Sequence, residues 1–185
     1  MSNSNTHISK KISYILRHDL NNIKHTNEGY VQVKMLMKKV NCNLDKINEI
    51  VSTDKKNRYN LKTIGHMLYI RANQGHTSGN LNDEIMLERI EKPIIRCYHG
   101  TYKNKIGIIQ KNGLSRMSRK HIHIAESDEA ISGKRSSCNV KIYINMEKAL
   151  NDGIKFYRSS NGVILTPGDE NGIIDPKYFD EVKFI

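Results

Sequence analysis

The stretch Tyr59-Asn60-Leu61-Lys62-Thr63-Ile64-Gly65-His66-Met67-Leu68-Tyr69-Ile70-Arg71 changes the period of the chain, and its reading decides the fold. It reads as two strands, Tyr59–Thr63 and His66–Arg71, joined by a turn at Ile64-Gly65. Upstream the apolar residues keep helical spacing instead. Ile8, Ile12, Ile15 and Leu16 predict a short amphipathic helix ending near Arg17-His18-Asp19, followed by the turn formers Asn21 and Asn22. Gly29–Val33 predicts a short strand and Lys34–Val40 a helix. Leu44, Ile47, Ile50 and Val51 mark another helix, with Asn43 as its N-cap.

Helix, strand, helix, helix and a terminal hairpin form the pattern of a winged-helix module, which alone points to DNA binding or protein docking more often than to catalysis. Downstream, residues 77–93 are polar and broken by Gly79 and Pro93, which predicts a lobe boundary there and two lobes, 1–92 and 93–185. The second half predicts strands at Ile94–Tyr98, His121–Ala125, Asn139–Asn145, Ile154–Arg158 and Gly162–Thr166. Short helices fall between them, one from Ile106 to a stop at Gly113 and one near Met146–Asn151. The last strand follows the polar turn Ser159-Ser160-Asn161 and offers only Val163, Ile164 and Leu165 as its buried set. The predicted class is α+β, with a small split β-sandwich in the second half.

Thirty Lys plus Arg against nineteen Asp plus Glu give a net charge of +11, which favours polyanionic partners. The excess is spread, with 15 basic and 9 acidic residues in 1–92 and 15 and 10 in 93–185. Cys42, Cys97 and Cys138 are odd in number and far apart, so neither a disulfide framework nor a zinc knuckle is expected. The polar start Met1–Thr6 does not read as a signal peptide, and no apolar run is long enough to span a bilayer. These features predict a protein of the reducing cell interior, cytoplasmic or, in a eukaryote, also nuclear, and a monomer.

Three weak signals in the first half combine. Arg17-His18 ends a helix, where basic residues need no further reason. Lys56-Asn57-Arg58 reads alone as a solvated charge run, and Gln74-Gly75-His76 as a turn. Together Arg17, His18, Lys56, Arg58, Gln74 and His76 supply the planar and point-charge donors that hold a phosphate. In the second half, His99-Gly100-Thr101 ends a strand where glycine admits close approach of a ligand. His121 and His123 share one strand face, and Arg119, Arg135 and Ser136 add donors for a pyrophosphate. The two-residue His spacing also suits metal, but no Cys or carboxylate cluster accompanies it, so no metal is expected.

Read as a set, these residues resemble the NAD-dependent RNA 2′-phosphotransferase family. The resemblance runs from Leu16-Arg17-His18-Asp19 through Gly29-Tyr30-Val31, Gln74-Gly75-His76, His99-Gly100-Thr101 and His121-Ile122-His123. It continues through Gly133-Lys134-Arg135-Ser136-Ser137 and Asn161–Gly168 to Pro176-Lys177-Tyr178-Phe179, all in order. It implies a winged-helix RNA lobe joined to an ADP-ribosyltransferase-like NAD lobe. The family's essential Arg-His-Arg-Arg set falls on Arg17, His18, Arg58 and Arg135, with Arg119 as the other claimant to the fourth place. His99, Gly100, Thr101, Arg119, His121, His123 and Ser136 fall at the NAD site, and Lys56, Gln74 and His76 at the RNA phosphate. The family's Lys-x-Arg-Phe is here Lys56-Asn57-Arg58-Tyr59.

The resemblance implies a transferase of tRNA processing and splicing. An internal 2′-phosphate of RNA, expected to be tRNA, passes to NAD through an ADP-ribosylated RNA phosphate. The products are 2′-hydroxyl RNA, ADP-ribose 1″,2″-cyclic phosphate and nicotinamide. Ordinary ADP-ribosyltransferases grip the nicotinamide ribose with a glutamate on the last strand, where this chain has Val163, Ile164 and Leu165. Two alternatives share these features: a transferase that caps phosphorylated nucleic-acid ends and stops at the adduct, and a non-enzymatic winged-helix nucleic-acid-binding protein.

Overall fold

The computed structural model describes residues 3–77, 81–130 and 132–185, and divides into two compact units, Met1–Met86 and Leu87–Ile185. Met1, Ser2 and the boundary glycine Gly79 lie outside the described residues. The class is α+β, with every paired strand antiparallel.

In the first unit α1 spans Asn3–His18, longer than its apolar spacing predicted. Then come β1 (Val31–Gln32), α2 (Val33–Val40), α3 (Leu44–Ser52), β2 (Tyr59–Ile64), β3 (Met67–Ala72) and the short α4 (Asp83–Met86). Asn43 caps α3 as expected, its side chain accepting from the Lys46 N–H at 3.0 Å. The hairpin register pairs Ile64 with Met67, so the loop is Gly65-His66, one residue beyond the predicted turn. β3 is the centre of the sheet β1-β3-β2, and α1 packs on β3, α2 and α3. Ile12, Ile15 and Leu16 fill that contact from α1, meeting a core that includes Leu36, Ile47, Ile50 and Ile70. All of them are buried, and their 3–4-residue spacing explains why the helix forms here.

One polar node ties α1 to the hairpin. Tyr59, the first residue of β2, is 6% exposed. Its hydroxyl donates to the Ser9 carbonyl at 2.8 Å and shares hydroxyl–hydroxyl bonds with Ser13 at 2.5 Å and Ser9 at 3.1 Å. Ser9 and Ser13 lie one helical turn apart on the same face of α1, so a single oxygen fixes both the height and the rotation of the helix.

The second unit contains β4 (Glu88–Ile90), β5 (Tyr98–Thr101), α5 (Ile106–Asn112), β6 (Leu114–Ser115), β7 (Ile122–Ile124), β8 (Val140–Ile144) and α6 (Met146–Asn151). It ends with β9 (Lys155–Arg158), β10 (Ile164–Gly168), β11 (Ile173–Ile174) and β12 (Phe179–Phe184). Two main sheets form, β4-β9-β10-β7 and β12-β8-β5, with a small β11-β6 pair. The units part at 86/87 because Glu88–Ile90, read from sequence as linker, pairs with β9. Ile94–Arg96, read as strand, is not: Arg96 takes a φ of +65° and β5 starts at Tyr98. β12 had no alternating signal to reveal it, since only Phe179 and Val182 are even partly buried.

The core lies between the two main sheets. Ile122, Ile124, Phe156, Ile164 and Ile90 from one meet Val140, Ile142 and Ile144 from the other, with Ile106, Met146 and Ala149 from the helices. The sheets touch where Tyr98 and Ala125 exchange backbone bonds of 3.0 and 2.8 Å.

Replacing Tyr59 by Phe keeps the buried ring and removes the node. The expected loss is about 1–2 kcal/mol of unfolding free energy, read from the urea midpoint. An unchanged midpoint would show that the hydroxyl adds nothing to the docking of α1.

Candidate functional site

The Ser9-Ser13-Arg17 and Thr6-Lys10-Tyr14-His18 positions form two adjacent stripes at four-residue spacing along α1. Both stripes, together with Arg58 from the start of the hairpin, line a cleft of about 410 Å³. Arg17, His18 and Arg58 therefore converge, although some forty residues separate the first pair from the third.

Each of the three is oriented by a neighbour. Thr77 donates its N–H to the Arg17 carbonyl at 2.9 Å, while its hydroxyl bonds His18 Nδ1 at 2.7 Å. Tyr14 tilts its ring against the His18 imidazole, with centroids 5.7 Å apart. Gly75 takes a φ of +87° and lays bare backbone against the Arg17 guanidinium, a turn that other residues adopt only under strain. Arg58 is held from two sides. Asp54, its side chain 2% exposed, accepts from the Arg58 and Lys56 N–H groups at 2.5 and 3.3 Å and pairs with the Arg58 guanidinium. Asn73 donates its N–H to the Arg58 carbonyl at 2.8 Å, and its amide to the Asn57 carbonyl at 2.6 Å. Asp54, Asn73, Thr77 and the serine pair were missed in the sequence, because each acts on backbone or on a partner remote in the chain. Asp54, four residues before Arg58, was the one readable signal.

Lys56, Gln74 and His76 lie outside this cleft. Lys56 is half-buried on the Asp54 loop, and Gln74 is half-buried beside Gly75. His76 is buried, its Nε2 under Gly29.

In the second unit predicted residues lie on β5, on and beside β7, and on the 133–138 loop. His99 Nδ1 donates to the His123 carbonyl at 2.8 Å. Burial lowers the His99 pKa, and the charge of Arg135 adds to that against the raising effect of this bond. The imidazole is therefore neutral near pH 7, and with Nδ1 donating, Nε2 is left as an acceptor. Arg119 is also lowered, first by desolvation and then by Arg135. Among the described residues neither guanidinium has a carboxylate partner; both remain exposed, a combination that suits an anionic ligand. Arg135 lies over the Tyr102 ring at 5.7 Å, and the Tyr102 hydroxyl bonds Ser137 at 2.8 Å, so Tyr102 props the loop. Gly133 seats it: at φ +86°, a side chain there would strike the Ile124 carbonyl at 2.8 Å.

His121 and His123 fall on the sheet face opposite the main core, as their spacing predicts. His121 is buried edge-on to Tyr157, and Tyr157, Val163 and Leu165 back this face as an apolar floor. Gly100 differs from expectation. The space beside its Cα is taken by Cys138, whose sulfur would lie 3.0 Å from a Cβ, so the glycine lets the 133–138 loop approach β5. Thr101 is buried and Ser136 exposed. Among the described residues, no three His, Cys, Asp or Glu side chains gather as a metal site.

Comparison with known proteins gives these positions a family. The profile of the RNA 2′-phosphotransferase, Tpt1 / KptA family matches residues 3–168. A tRNA 2′-phosphotransferase 1 of Danio rerio is 38% identical over 95% of this chain and 84% of its own length. The tRNA 2′-phosphotransferase of Saccharomyces cerevisiae is 34% identical over 86% of this chain and 77% of its own. A Schizosaccharomyces pombe relative is 39% identical over 98% of this chain, which spans only 52%, about half, of that longer protein. The match extends into both units, and the chain belongs to the RNA 2′-phosphotransferase, Tpt1 / KptA family.

Proposed function

We propose that the chain removes an internal 2′-phosphate from RNA, with tRNA as the substrate class, by transferring it to NAD. The observation that carries the reading is the convergence of Arg17, His18 and Arg58 on one cleft. In this reading the first unit is a winged-helix lobe that holds the RNA phosphate, and the second an ADP-ribosyltransferase-like lobe that holds NAD. Lys56, Gln74 and His76 support the RNA side from outside the cleft.

NAD supplies an electrophilic anomeric carbon carrying a good leaving group. A 2′-phosphate oxygen bonds to that carbon as the C–N bond breaks, and nicotinamide departs with the electron pair. The RNA phosphate is now ADP-ribosylated. Its phosphorus is then attacked by the adjacent ribose 2″-hydroxyl oxygen, and the bond to the RNA 2′-oxygen breaks. The hydroxyl gives up its proton and the RNA oxygen gains one. The products are 2′-hydroxyl RNA and ADP-ribose 1″,2″-cyclic phosphate.

The donor sets fit these demands. Arg17 and Arg58 offer guanidinium forks and His18 a third donor to a dianionic phosphate. Arg119 and Arg135 suit a pyrophosphate, and neutral His99 suits a ribose hydroxyl through Nε2. The second step needs a free 2″-hydroxyl, and buried Val163, Ile164 and Leu165 offer no carboxylate to bind it. Arg135 serves as the fourth essential arginine, with Arg119 beside it.

Incubation with a 2′-phosphorylated oligoribonucleotide should release ADP-ribose 1″,2″-cyclic phosphate and nicotinamide only when NAD is present. Stable ADP-ribosylated RNA without cyclic phosphate would make the chain an end-capping transferase instead. No consumption of NAD would leave a nucleic-acid-binding protein.

The phosphate is itself a nucleophile, so the first step asks less of the cleft than the second, in which negative charge builds on phosphorus. Arg17→Ala or Arg58→Ala should therefore slow transesterification by about a hundredfold and accumulate the ADP-ribosylated RNA in quenched time courses. Parallel loss of both steps, with no adduct above the unmutated level, would show that these arginines act only in binding.

A further inference from the structure

Tyr14 is the largest exposed side chain in the cleft, 60% accessible, one helical turn before His18 on the same stripe. A lone exposed aromatic normally needs no explanation. This one shares its cleft with Arg17, His18 and Arg58, and its ring is in contact with His18. Lys10 follows one turn further on, exposed and without an ion pair among the described residues. The stripe thus runs from phosphate donor to flat apolar face to point charge, at steps of about 6 Å along the helix.

Building on the proposed phosphate site, we infer that Tyr14 is a stacking platform for the base of the phosphorylated nucleotide, and that Lys10 takes a backbone phosphate beyond it. The chemistry selects single-stranded RNA. A base can lie on a tyrosine ring only when it is unstacked from its neighbours, and such contacts tolerate any base because every base has a π-face. A duplex would keep its bases out of reach. A base stacked there would add contact area that free phosphate lacks. Ser9 and Ser13, on the parallel stripe, are engaged by Tyr59 and keep the cleft's inner wall in place while Tyr14 forms the outer one.

Fluorescence anisotropy without NAD separates this inference from the phosphate site beneath it. The probes are one oligoribonucleotide with a single internal 2′-phosphate, its 2′-hydroxyl counterpart, and a version abasic at the phosphorylated nucleotide. The unmutated protein should prefer the phosphorylated probe to the 2′-hydroxyl one. Tyr14→Ala should weaken binding of the phosphorylated probe about tenfold, Tyr14→Phe by less than about twofold, and the abasic probe should bind Tyr14→Ala and unmutated protein alike. Lys10→Ala should reduce the salt slope of binding by about one. No preference for the 2′-phosphate overturns the phosphate site, and the stacking with it. A clear preference with equal Tyr14→Ala loss on intact and abasic probes overturns the stacking alone, and shows that the ring acts through His18.

Discussion

The hydroxyl of Tyr59 stands at the point on which the cleft of the first unit depends. α1 carries Arg17 and His18, the start of β2 carries Arg58, and no regular backbone pairing joins helix to strand. A sheet ladder fixes its neighbours through many shared bonds, whereas a helix laid on a sheet can slide and roll. Apolar packing of Ile12, Ile15 and Leu16 sets the contact but tolerates small shifts. The bonds from Tyr59 to Ser9 and Ser13 are directional, and a rotation of α1 that moved Arg17 away would break them. The hydroxyl adds a geometric lock to the packing of the ring.

The charge arrangement follows a related logic. Asp54 is a buried carboxylate, costly unless paired, and it is paired with Arg58 and with two backbone N–H groups. One edge of the Arg58 guanidinium is thereby committed to Asp54. The same bond aims the remaining donors into the cleft that Arg58 lines. Removing Arg58 therefore does two things: it takes a guanidinium from the cleft and takes from Asp54 its ion-pair partner. In the second unit the pattern reverses. Among the described residues Arg119 and Arg135 have no carboxylate partner, and burial first, then the charge of Arg135, lowers both Arg119 and His99. That unrelieved positive field is what a pyrophosphate would neutralise.

Much of the fold was legible because it rests on local rules. Helical spacing marked α1 and α3, the Asn43 cap its start, and the change of period at Tyr59 the hairpin. Ile122–Ile124, Val140–Ile144 and the strand at Ile164 were readable from their apolar runs. The failures have physical causes. Glu88–Ile90 is polar and buries one residue, so nothing local distinguishes it from a linker. β12 is an edge strand with an exposed face and shows no period of two. Ile94 and Ile95 read as strand because they are apolar, yet Ile95 is 85% exposed. Of the candidate site, the charged residues were visible by type and motif. Their orienting partners were not, since Thr77, Asn73 and Tyr59 act over distances in sequence that only the fold brings together.

The central claim is that Arg17 and Arg58 form one preorganised phosphate site before NAD is involved. Nitrogen-15 spectra of the arginine Nε–H groups, recorded while a 2′-phosphorylated oligoribonucleotide is added without NAD, test it directly. Both side-chain signals should shift along the same binding curve, and the 2′-hydroxyl oligonucleotide should leave them in place. A response from Arg17 with Arg58 silent, or equal shifts with the unphosphorylated strand, would contradict the account.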